Sequence, residues 1–547
     1  MYQGSASDCS GIVHGSVSGE MDILIKNGTV VDGTGDAPCR CSVAVSSSGF
    51  ITGVGDKWPE GGASRVIDAE GLYVMPGFID VHSHGDLGVF NNDEPNPKLM
   101  QGVTTEIVGN CGLSVAPVTR RHRGEWAAQY EGVWGRSCME WDWVSFGDYL
   151  DALERKGLQI NVGSQVGFGT LRLEAVGWKN RPATTREGSR MQELAEEAAC
   201  RGAFGVSFGL VYVPACYASR AELVDVSRAA AREDMLLNFH IRSEGDNLLE
   251  SLDEVIDIAQ RSQGKLHVSH LKAFGKNNWG KVDSVLERIH ETGMGITFDL
   301  YPYTVGSTTL NALLPPWVLE GGTEKMLQRL NRKIVRDRIR EDVKRGIDGW
   351  ENYLRLTGTE KVMVTNLKTS DFGAFDSRFL SEIMKARMSD EVDTLCDIIV
   401  AEKGAASMLM YAMSEEGVVK ILRDGSSMIG TDGLYSGMPH PRLYGSYPTF
   451  VKKYVLGKRI MSLQDGVRKM TSYPAHRFDI EKRGLIREGY HADLVIIDLD
   501  RFDSPSRFGD SKKYATGLEY VLVNGQVLVD RGEFKHALPG YVLRKGA

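Results

Sequence analysis

Two histidines, His82 and His84, stand one residue apart in the stretch GFIDVHSHGD, at the end of a short apolar run. Alternate side chains of a β-strand point to the same face, so both imidazoles would project together from one side of a strand. Such a pair is either a set of polar groups satisfied within a core or part of a metal site. A single His-x-His motif is too weak a signal to decide between these interpretations.

Four further residues of metal-ligating type accompany other short apolar runs. Cys111 lies in VGNCG, His240 in NFHIR, His270 in VSHLK and Asp432 in GTDG. If these runs are parallel strands of a barrel, all of these residues stand near the carboxyl ends of strands, where barrel active sites lie. Together with the two histidines they predict a metal-dependent active site on one rim.

The elements that would position these residues are eight short runs between about residues 76 and 480. They are rich in Val, Ile and Gly and alternate with helical text such as TREGSRMQELAEEAACRG. This alternation predicts βα units and a parallel sheet, and eight such strands predict a (β/α)8 TIM barrel. The runs are GFIDVHSH, TTEIVGN, INVGSQVG, GAFGVSFG, MLLNFHIR, KLHVSHLK, GITFDLYPY and SSMIGTDG.

The remaining text predicts an insertion and a second structure. Between the seventh and eighth runs, residues of about 309–420 are too many for one crossover connection. They include charged sequence with a helical pattern, which predicts an inserted helical subdomain. At the two chain ends, DILIKNGTVV and YVLVNGQVLVD predict short strands around Asn-Gly turns. We expect one small β-sandwich built from both ends, with a disordered extension before it. The predicted organisation is extension 1–20, sandwich 21–75, barrel 76–480 and sandwich 481–547.

Composition excludes several partners and locations. The net charge is −8 and there is no long basic run, which argues against binding of nucleic acid or an anionic membrane. No apolar stretch is long enough to span a bilayer, and the first twenty residues lack the apolar region of a signal peptide. The eight cysteines are scattered without a disulfide-like pattern, which favours a reducing compartment and predicts a cytoplasmic protein.

These motifs in combination resemble a known family. PGFIDVHSH, the histidines of the fifth and sixth runs and the aspartate after the eighth resemble the metal-dependent amidohydrolase superfamily, and GYHADLVIID resembles its return into the β-sandwich. More narrowly, GNCG, FGVSFGLVYVP, HIRSEG, SHLK, YPYTVGSTTL, GTDG and HPRLYGSYP are similar to the N-acyl-D-amino-acid deacylase (D-aminoacylase) family, from about Met21 to the carboxyl end. Many relatives bridge their metals with a modified lysine on strand four. GAFGVSFG has no lysine, and Cys111 offers a ligand instead.

The resemblance implies hydrolysis of N-acyl-D-amino acids to a carboxylate and a D-amino acid. Thiolate and imidazole ligands favour Zn²⁺ over Mg²⁺ or Ca²⁺. A zinc ion with an open position lowers the pKa of a water molecule to about 7, and Asp432 is then placed to take its proton and pass it to the leaving amine. The implied ligands are Cys111, His240 and His270 for a tight site and His82, His84 and Asp432 for a second, weaker site.

The substrate contacts are predicted on the same basis. Lys272 follows the sixth-run histidine by two residues and so projects on the same side. The resemblance suggests that Lys272 binds the carboxylate of a small N-acyl amino acid, helped by Tyr301 or Tyr303 and by Ser307. Tyr212, in GLVYVP, either lines the pocket or belongs to the core.

Three other residues bear on the pocket. Arg242 is expected to form a buried ion pair with Glu244 or another acid. His267 lies three residues before the sixth-run histidine, on the opposite strand face, and is interpreted as structural. Relatives often carry a histidine in the strand-three motif where this chain has VGFGTLR with Phe168, which leaves the substrate preference open.

Two classes of alternative remain. Among enzymes, the runners-up are an N-acyl-D-glutamate or N-acyl-D-aspartate deacylase and a cyclic amidase of hydantoinase or dihydroorotase type. The non-enzyme alternative is a barrel that has lost its chemistry and serves as a scaffold. A degenerate scaffold should have lost ligands, whereas all six metal-type positions are filled.

Overall fold

The computed structural model describes residues 21–55, 58, 62–135 and 140–546 of the 547-residue chain. The segment predicted as a disordered extension, residues 1–20, lies outside the described residues. The described chain forms a sheet made from both chain ends, a set of parallel strands covered by helices, and an inserted subdomain.

Strands from both chain ends form one nine-stranded sheet. Its order is β22–β21–β20–β19–β5–β1–β2–β3, and β4 pairs with β1. Antiparallel pairing of β19 with β5 joins the two ends of the chain. The strands are β1 (Ile23–Val30), β2 (Cys39–Val45), β3 (Ile51–Gly55), β4 (Arg65–Asp68), β5 (Tyr73–Pro76), β19 (Leu494–Ile497), β20 (Leu518–Val523), β21 (Gln526–Asp530) and β22 (Glu533–Phe534).

The two Asn-Gly pairs in this sheet have different structures. Asn524 and Gly525 form the predicted two-residue turn between β20 and β21, with φ angles of 47° and 78°. Asn27 and Gly28 instead lie inside β1, where the register shifts between Ile25 and Gly28. The prediction of two short strands around a turn is therefore wrong at this position. Strand β1 pairs with β4 before this bulge and with β5 after it. The bulge therefore lies where one edge of β1 changes its pairing partner.

All eight central runs form parallel strands. Hydrogen bonds link β6–β7–β8 in one sheet and β9–β10–β11–β12–β13–β18 in another, and Gln165 alone separates β8 from β9. A parallel bridge between Ser83 and Gly433 joins the ends of the first and last strands. This order is that of a (β/α)8 barrel, and the predicted fold class is confirmed. The strands are β6 (Phe78–Asp80), β7 (Val103–Val108), β8 (Asn161–Ser164), β9 (Val166–Gly167), β10 (Gly205–Gly209), β11 (Leu236–His240), β12 (Leu266–Val268), β13 (Thr297–Leu300) and β18 (Ser427–Ile429).

Amphipathic helices pack around these strands. In α5 the side chain of Thr184 accepts a hydrogen bond from the backbone of Glu187, and residues spaced three or four apart, such as Met191 and Leu194, are buried. The helices are α1 (Arg120–Gln129), α2 (Glu131–Trp134), α3 (Phe146–Lys156), α4 (Phe168–Val176), α5 (Thr185–Cys200), α6 (Arg220–Arg232), α7 (Leu248–Ser262), α8 (Val282–Glu291), α15 (Arg442–Thr449), α16 (Leu463–Met470) and α17 (Ser472–Arg477), with a π-helix at Phe450–Gly457. The described helices include none with both the length and the apolar character needed to span a bilayer.

The inserted subdomain lies between β13 and β18 and contains both helices and a sheet. Its antiparallel sheet has the order β14–β17–β15–β16 and was not predicted. Runs such as VMVT and SMLM are too short for periodicity to distinguish a strand from a buried helical turn. The elements are α9 (Gly322–Leu330), α10 (Lys333–Arg345), α11 (Tyr353–Thr357), α12 (Leu380–Arg387), α13 (Glu391–Ala401), α14 (Glu415–Arg423), β14 (Gly306–Thr309), β15 (Val362–Thr365), β16 (Arg378–Phe379) and β17 (Ser407–Met410).

Short 3-10 helices occur in the loops on both sides of the barrel strands and within the insertion. They lie at Gly88–Phe90, Leu99–Gln101, Ala215–Tyr217, Lys276–Lys281, Leu310–Leu313, Pro316–Leu319, Thr359–Lys361 and Gly373–Phe375.

Candidate metal centre and substrate pocket

Six buried side chains converge at the carboxyl ends of the parallel strands. Among the described residues, three overlapping groups have ligand atoms that lie within 4.8 Å of one another. The groups are His82, His84 and Cys111; Cys111, His240 and His270; and His82, His270 and Asp432. The structure thus brings together all six residues of metal-ligating type that the sequence singled out.

Cys111 lies at the centre of this cluster. It follows β7 in a tight turn with a φ of 53°, and its Sγ is 3.3 Å from Nε2 of both His82 and His270. Burial alone would raise the pKa of the thiol, but the neighbouring imidazoles outweigh it and hold the pKa well below its ordinary value. The turn packs so closely on β10 that a Cβ at Gly209 would lie 1.9 Å from the carbonyl oxygen of Cys111. Residue 209 must therefore be glycine for the two backbones to approach this closely.

His240 has the free donor atoms that a metal site needs. It ends β11, is 4% exposed, and both of its ring nitrogens are buried without a hydrogen-bond partner. Its ring centroid lies 4.3 Å from that of His270. Buried polar atoms normally have partners, so two unpaired nitrogens beside a thiol need an explanation. Soft sulfur and imidazole donors fit a zinc ion, and a bound cation would satisfy them.

Asp432 connects the two histidines of the first strand to an arginine. Its Oδ1 lies 3.2 Å from Nε2 of His84 and 3.6 Å from Nε2 of His82, while Oδ2 is 2.8 Å from a guanidinium nitrogen of Arg442. Burial would raise the pKa of this carboxyl group, but Arg442 and the histidines hold it well below its ordinary value. Arg442 and the histidines therefore favour the ionised form of this carboxyl group.

A carboxylate that the sequence did not single out fixes the ring of His82. Asp299, on β13, accepts hydrogen bonds at Oδ2 from Nδ1 of His82 at 3.2 Å and from Nε2 of His267 at 3.0 Å. Because the proton of His82 is held at Nδ1, the lone pair of Nε2 faces Cys111. His267, interpreted as structural, thus acts through Asp299 on the metal cluster. An aspartate inside the apolar run GITFDLYPY was the available signal.

A second group of charges lies beneath the histidines of the first strand. The ammonium of Lys98 is 2.8 Å from Oδ2 of Asp80 and 2.7 Å from Oε2 of Glu106, and all three side chains have no exposed surface. Ser83, between the two histidines, hydrogen-bonds to both Lys98 and Glu106. This cluster, which we call the lower cluster, anchors the loop that carries His82.

Lys272 is buried beside the metal cluster and has a carboxylate partner. Its Nζ lies 2.6 Å from Oε1 of Glu244, and the same oxygen is 3.0 Å from Nδ1 of His270. Arg242, which was expected to pair with Glu244 or another acid, pairs with another acid: it makes two hydrogen bonds to the partly buried Glu254, of 3.0 and 3.1 Å. The carboxylate of Glu244 therefore pairs with Lys272 and His270.

Four of the five predicted substrate contacts line one cavity at the metal cluster: Lys272, Tyr301, Ser307 and Tyr212. The hydroxyl of Tyr212 is 2.9 Å from Oγ1 of Thr308. Tyr303 differs, since its hydroxyl lies 3.0 Å from Oγ1 of Thr449 and it is not among the described residues that line the cavity. Of the two tyrosine alternatives, the geometry favours Tyr301.

Arg442 is a site residue to which the sequence analysis assigned no role. It is fully buried at the start of α15, pairs with Asp432, and donates to the carbonyl oxygen of Ser307 at 3.1 Å. Its guanidinium lies 4.5 Å from the ring centroid of Tyr301, and the ammonium of Lys272 lies 5.9 Å from it. The motif HPRLYGSYP contains this arginine, but its contacts depend on residues distant in the chain.

Apolar side chains form much of the remaining cavity wall, and two of them, Tyr353 and Met410, come from the inserted subdomain. The other apolar contributors are Leu113, Val133, Phe274 and Leu434. Phe168, the departure in the strand-three motif, is not in this wall: it is fully buried and its ring lies 5.1 Å from that of Phe208 in the core.

Comparison with known proteins identifies the wider group to which this arrangement is similar. A family model described as the amidohydrolase family matches residues 65–299 and 407–529. The two matched segments contain all six residues of the metal cluster and leave out most of the inserted subdomain.

Similarity to individual proteins extends over nearly the whole chain. The chain is 32% identical to a D-aminoacylase of Alcaligenes xylosoxydans xylosoxydans over 536 residues, 97% of this chain and 99% of the relative. It is 32% identical to an N-acyl-D-glutamate deacylase of the same organism over 534 residues, 96% and 97% of the two chains. The crystal structure of N-acyl-D-glutamate deacylase from Bordetella bronchiseptica, complexed with zinc and a phosphonate inhibitor, superimposes with a TM-score of 0.80 at 29% identity, covering 96% of this chain and 100% of the other.

Proposed function

The chain belongs to the amidohydrolase family, and we propose that it hydrolyses the amide bond of N-acyl-D-amino acids, releasing a carboxylate and a D-amino acid. The observation that carries this proposal is the joining of two groups in one cavity. Four residues of the metal cluster line this cavity together with Lys272 and Tyr301: His84, His240, His270 and Asp432. Such a cavity can bind a substrate that has both an amide and a carboxylate.

We propose that the cluster binds zinc. The tight site would be formed by Cys111, His240 and His270, and the second, weaker site would be formed by His82, His84 and Asp432. The short separations of the donor atoms and the unpaired nitrogens of His240 support this assignment. When bound, zinc supplies Lewis-acid chemistry, polarising the amide carbonyl and lowering the pKa of a water molecule to about 7.

In this proposal the proton passes through Asp432. The carboxylate accepts the proton of the attacking water and delivers it to the leaving amine. Arg442 and His84 hold the two oxygens of Asp432, which keeps the carboxylate ionised and fixes its orientation. This arrangement supports a role in proton transfer beside the ligands.

Recognition of the substrate carboxylate is assigned to Lys272, which lines the cavity together with Tyr301 and Ser307. Arg442 lies beside Tyr301, 4.5 Å from its ring centroid, and pairs with Asp432. Tyr212, which packs against His240 with ring centroids 5.2 Å apart, would contact the substrate near the amide.

The cavity wall favours an uncharged amino-acid side chain. Among the described residues that line the cavity, the only lysine or arginine is Lys272, which we assign to the α-carboxylate. The remaining wall is largely apolar. A glutamate or aspartate side chain would therefore have to bury a second carboxylate without a cation, at a considerable cost.

One panel of substrates tests the function. Purified protein of measured zinc content is given N-acetyl-D-leucine, N-acetyl-D-methionine, N-acetyl-D-glutamate, their L-isomers and a hydantoin. We expect release of acetate from the neutral D-substrates and little from the others. Absence of hydrolysis of every N-acetyl-D-amino acid by zinc-loaded protein would refute the proposal, whereas ring opening alone would favour the cyclic amidase.

Location is proposed on separate grounds. None of the six described cysteines forms a disulfide bond. Because structural disulfides are typical of oxidising compartments, these cysteines support a cytoplasmic location. Fractionation of native cells followed by immunodetection tests this proposal, and recovery of the protein outside the cytoplasmic fraction would contradict it.

A further inference from the structure

Glu351 connects the inserted subdomain to the loop that follows β11. Its carboxylate is buried, with a residue exposure of 5%, and its Oε2 accepts hydrogen bonds from the backbone amides of Glu244 at 2.6 Å and Gly245 at 3.2 Å. The approach is close, because a Cβ at Gly245 would lie 2.7 Å from Oε1 of Glu351. The loop and the insertion are therefore fitted to each other at this carboxylate.

The loop so held carries a residue of the site. Glu244 accepts from Lys272 at 2.6 Å and faces Nδ1 of His270 at 3.0 Å with the same oxygen. The position of Glu244 depends on the backbone that Glu351 holds.

We propose that Glu351 is a positioning residue for the active site: it fixes the Ser243–Gly245 turn so that Glu244 holds Lys272 and His270 in place. The proposal rests on the proposed function, in which Lys272 binds the substrate carboxylate. Glu351 acts indirectly, because Glu244 lies between it and the side chains of Lys272 and His270. The inserted subdomain then determines substrate binding through a hydrogen-bonded carboxylate as well as through its contribution to the cavity wall.

Two further observations support a positioning role. A buried carboxylate is costly unless it is hydrogen-bonded, and burial raises the pKa of Glu351 to about 7, so simple packing would be better served by an apolar side chain. The insertion also holds the next residue of the loop, because Arg355 forms an ion pair with Asp246 at 2.7 Å. This second pair is exposed, so the buried carboxylate of Glu351 makes the main polar contact from the insertion to this turn.

The insertion offers a matched control for Glu351. Glu402 is 7% exposed and also accepts two backbone amides, those of Lys368 at 3.1 Å and Thr369 at 3.0 Å. Neither Lys368 nor Thr369 is among the described residues that line the cavity. Glu402 also accepts the hydroxyl of Thr369 at 2.6 Å. Glu402→Leu therefore removes a buried carboxylate with at least as many hydrogen bonds as that of Glu351, but only Glu351 contacts the turn that carries Glu244.

The test compares Glu351→Leu, Glu351→Gln and Glu402→Leu in the zinc-loaded protein. We expect Glu351→Leu to raise KM for an N-acetyl-D-amino acid about 10–100-fold with a smaller change in kcat. Glu351→Gln keeps the acceptor oxygen and should stay within about threefold of wild type, as should Glu402→Leu even if its Tm falls. An unchanged KM in Glu351→Leu, or an equal rise in Glu402→Leu, would overturn the proposal.

Hydrogen exchange gives a readout that does not depend on activity. The amides of Glu244 and Gly245 should exchange faster in Glu351→Leu, and those of Lys368 and Thr369 in Glu402→Leu. If the wild-type protein hydrolyses no N-acetyl-D-amino acid, the proposed function fails while exchange still tests the role of Glu351. If Glu351→Leu does not fold, Glu351→Asp withdraws the acceptor by one methylene group, and wild-type KM and exchange in that variant would refute the inference.

Discussion

The metal cluster and the lower cluster are two layers of buried polar groups on the same strands, and they differ in the source of positive charge. In the lower cluster the chain supplies its own cation, because the ammonium of Lys98 bridges Asp80 and Glu106. In the metal cluster a low-pKa thiol, unpaired imidazole nitrogens and a carboxylate face one another. The carboxylates of the lower cluster thus have a cation partner as soon as the chain folds, whereas the donors of the metal cluster suit a bound metal cation.

This difference predicts a division of effects. Changes at Cys111 or His240 in the metal cluster should reduce metal binding and turnover with little loss of stability, because among the described residues neither side chain forms an ion pair with a lysine or arginine. Changes in the lower cluster should reduce stability first, because each leaves a buried charge without its partner.

The largest effect is expected for Cys111→Ala. Without the thiolate, the tight zinc should be lost, and hydrolysis should fall about 10³-fold or more, since metal catalysis contributes several kcal/mol. Elemental analysis and activity on the same sample measure both, with Cys396→Ala, a buried cysteine of the insertion, as the control. Full zinc content with normal turnover in Cys111→Ala would remove the distinction between the two layers.

Lys98→Met should have the next largest effect, on stability. The substitution leaves two buried carboxylates without a cation, and breaking a buried pair in this way costs about 3–5 kcal/mol. Urea denaturation measures the loss, and Lys420→Met, which breaks the exposed pair with Asp283, should cost at most about 1 kcal/mol. Equal losses in the two variants would show that the lower cluster does not stabilise the fold as we infer.

Asp432→Asn separates binding from chemistry within the metal cluster. The amide keeps the shape but cannot take the proton, so kcat should fall by a factor on the order of 10² or more. Zinc held by Cys111, His240 and His270 should remain, as measured by metal analysis after dialysis. Joint loss of metal and activity would mean that Asp432 is mainly a ligand.

The smallest effect is expected for Lys272→Met, at the edge of the metal cluster. A hydrogen bond to a charged group contributes roughly 1.5–3 kcal/mol, so kcat/KM should fall about ten- to a hundred-fold for N-acyl-D-amino acids. An N-acyl amine without the carboxylate should already be a poor substrate, and its kcat/KM should fall little further in the variant. Comparing the two substrates in both proteins isolates the interaction between Lys272 and the substrate carboxylate, as a double-mutant cycle does. Equal losses for both substrates would assign Lys272 to support of the metal cluster, and Arg442 would be the next residue to test.

The parts that could be predicted from the sequence depend on local periodicity. The eight parallel strands were identified from short apolar runs, and the residues at their carboxyl ends followed from barrel geometry. The two Asn-Gly pairs mark the limit of this reasoning. Both have the composition of a tight turn, yet only Asn524–Gly525 joins two strands, while Asn27–Gly28 is a bulge that serves the pairing of β1 with two different neighbours.

The parts that could not be predicted depend on contacts between distant residues. Asp299 and His82 are 217 residues apart in the chain, and only the closed order of the strands brings them together. Arg442 likewise acquires its role from Asp432, Ser307 and Tyr301. The insertion was identified by its length, but its sheet and the contact of Glu351 with the loop after β11 have no local signal.

The sheet made from both chain ends has a consequence for how the protein is synthesised. Strand β5 ends at Pro76, and its partner β19 begins only at Leu494, more than 400 residues later. At the ribosome the amino-terminal strands therefore emerge with an open edge that stays unpaired while the whole barrel is translated. Open edges of this kind recruit other chains, so delayed or truncated translation should expose nascent molecules to aggregation and make them clients of chaperones.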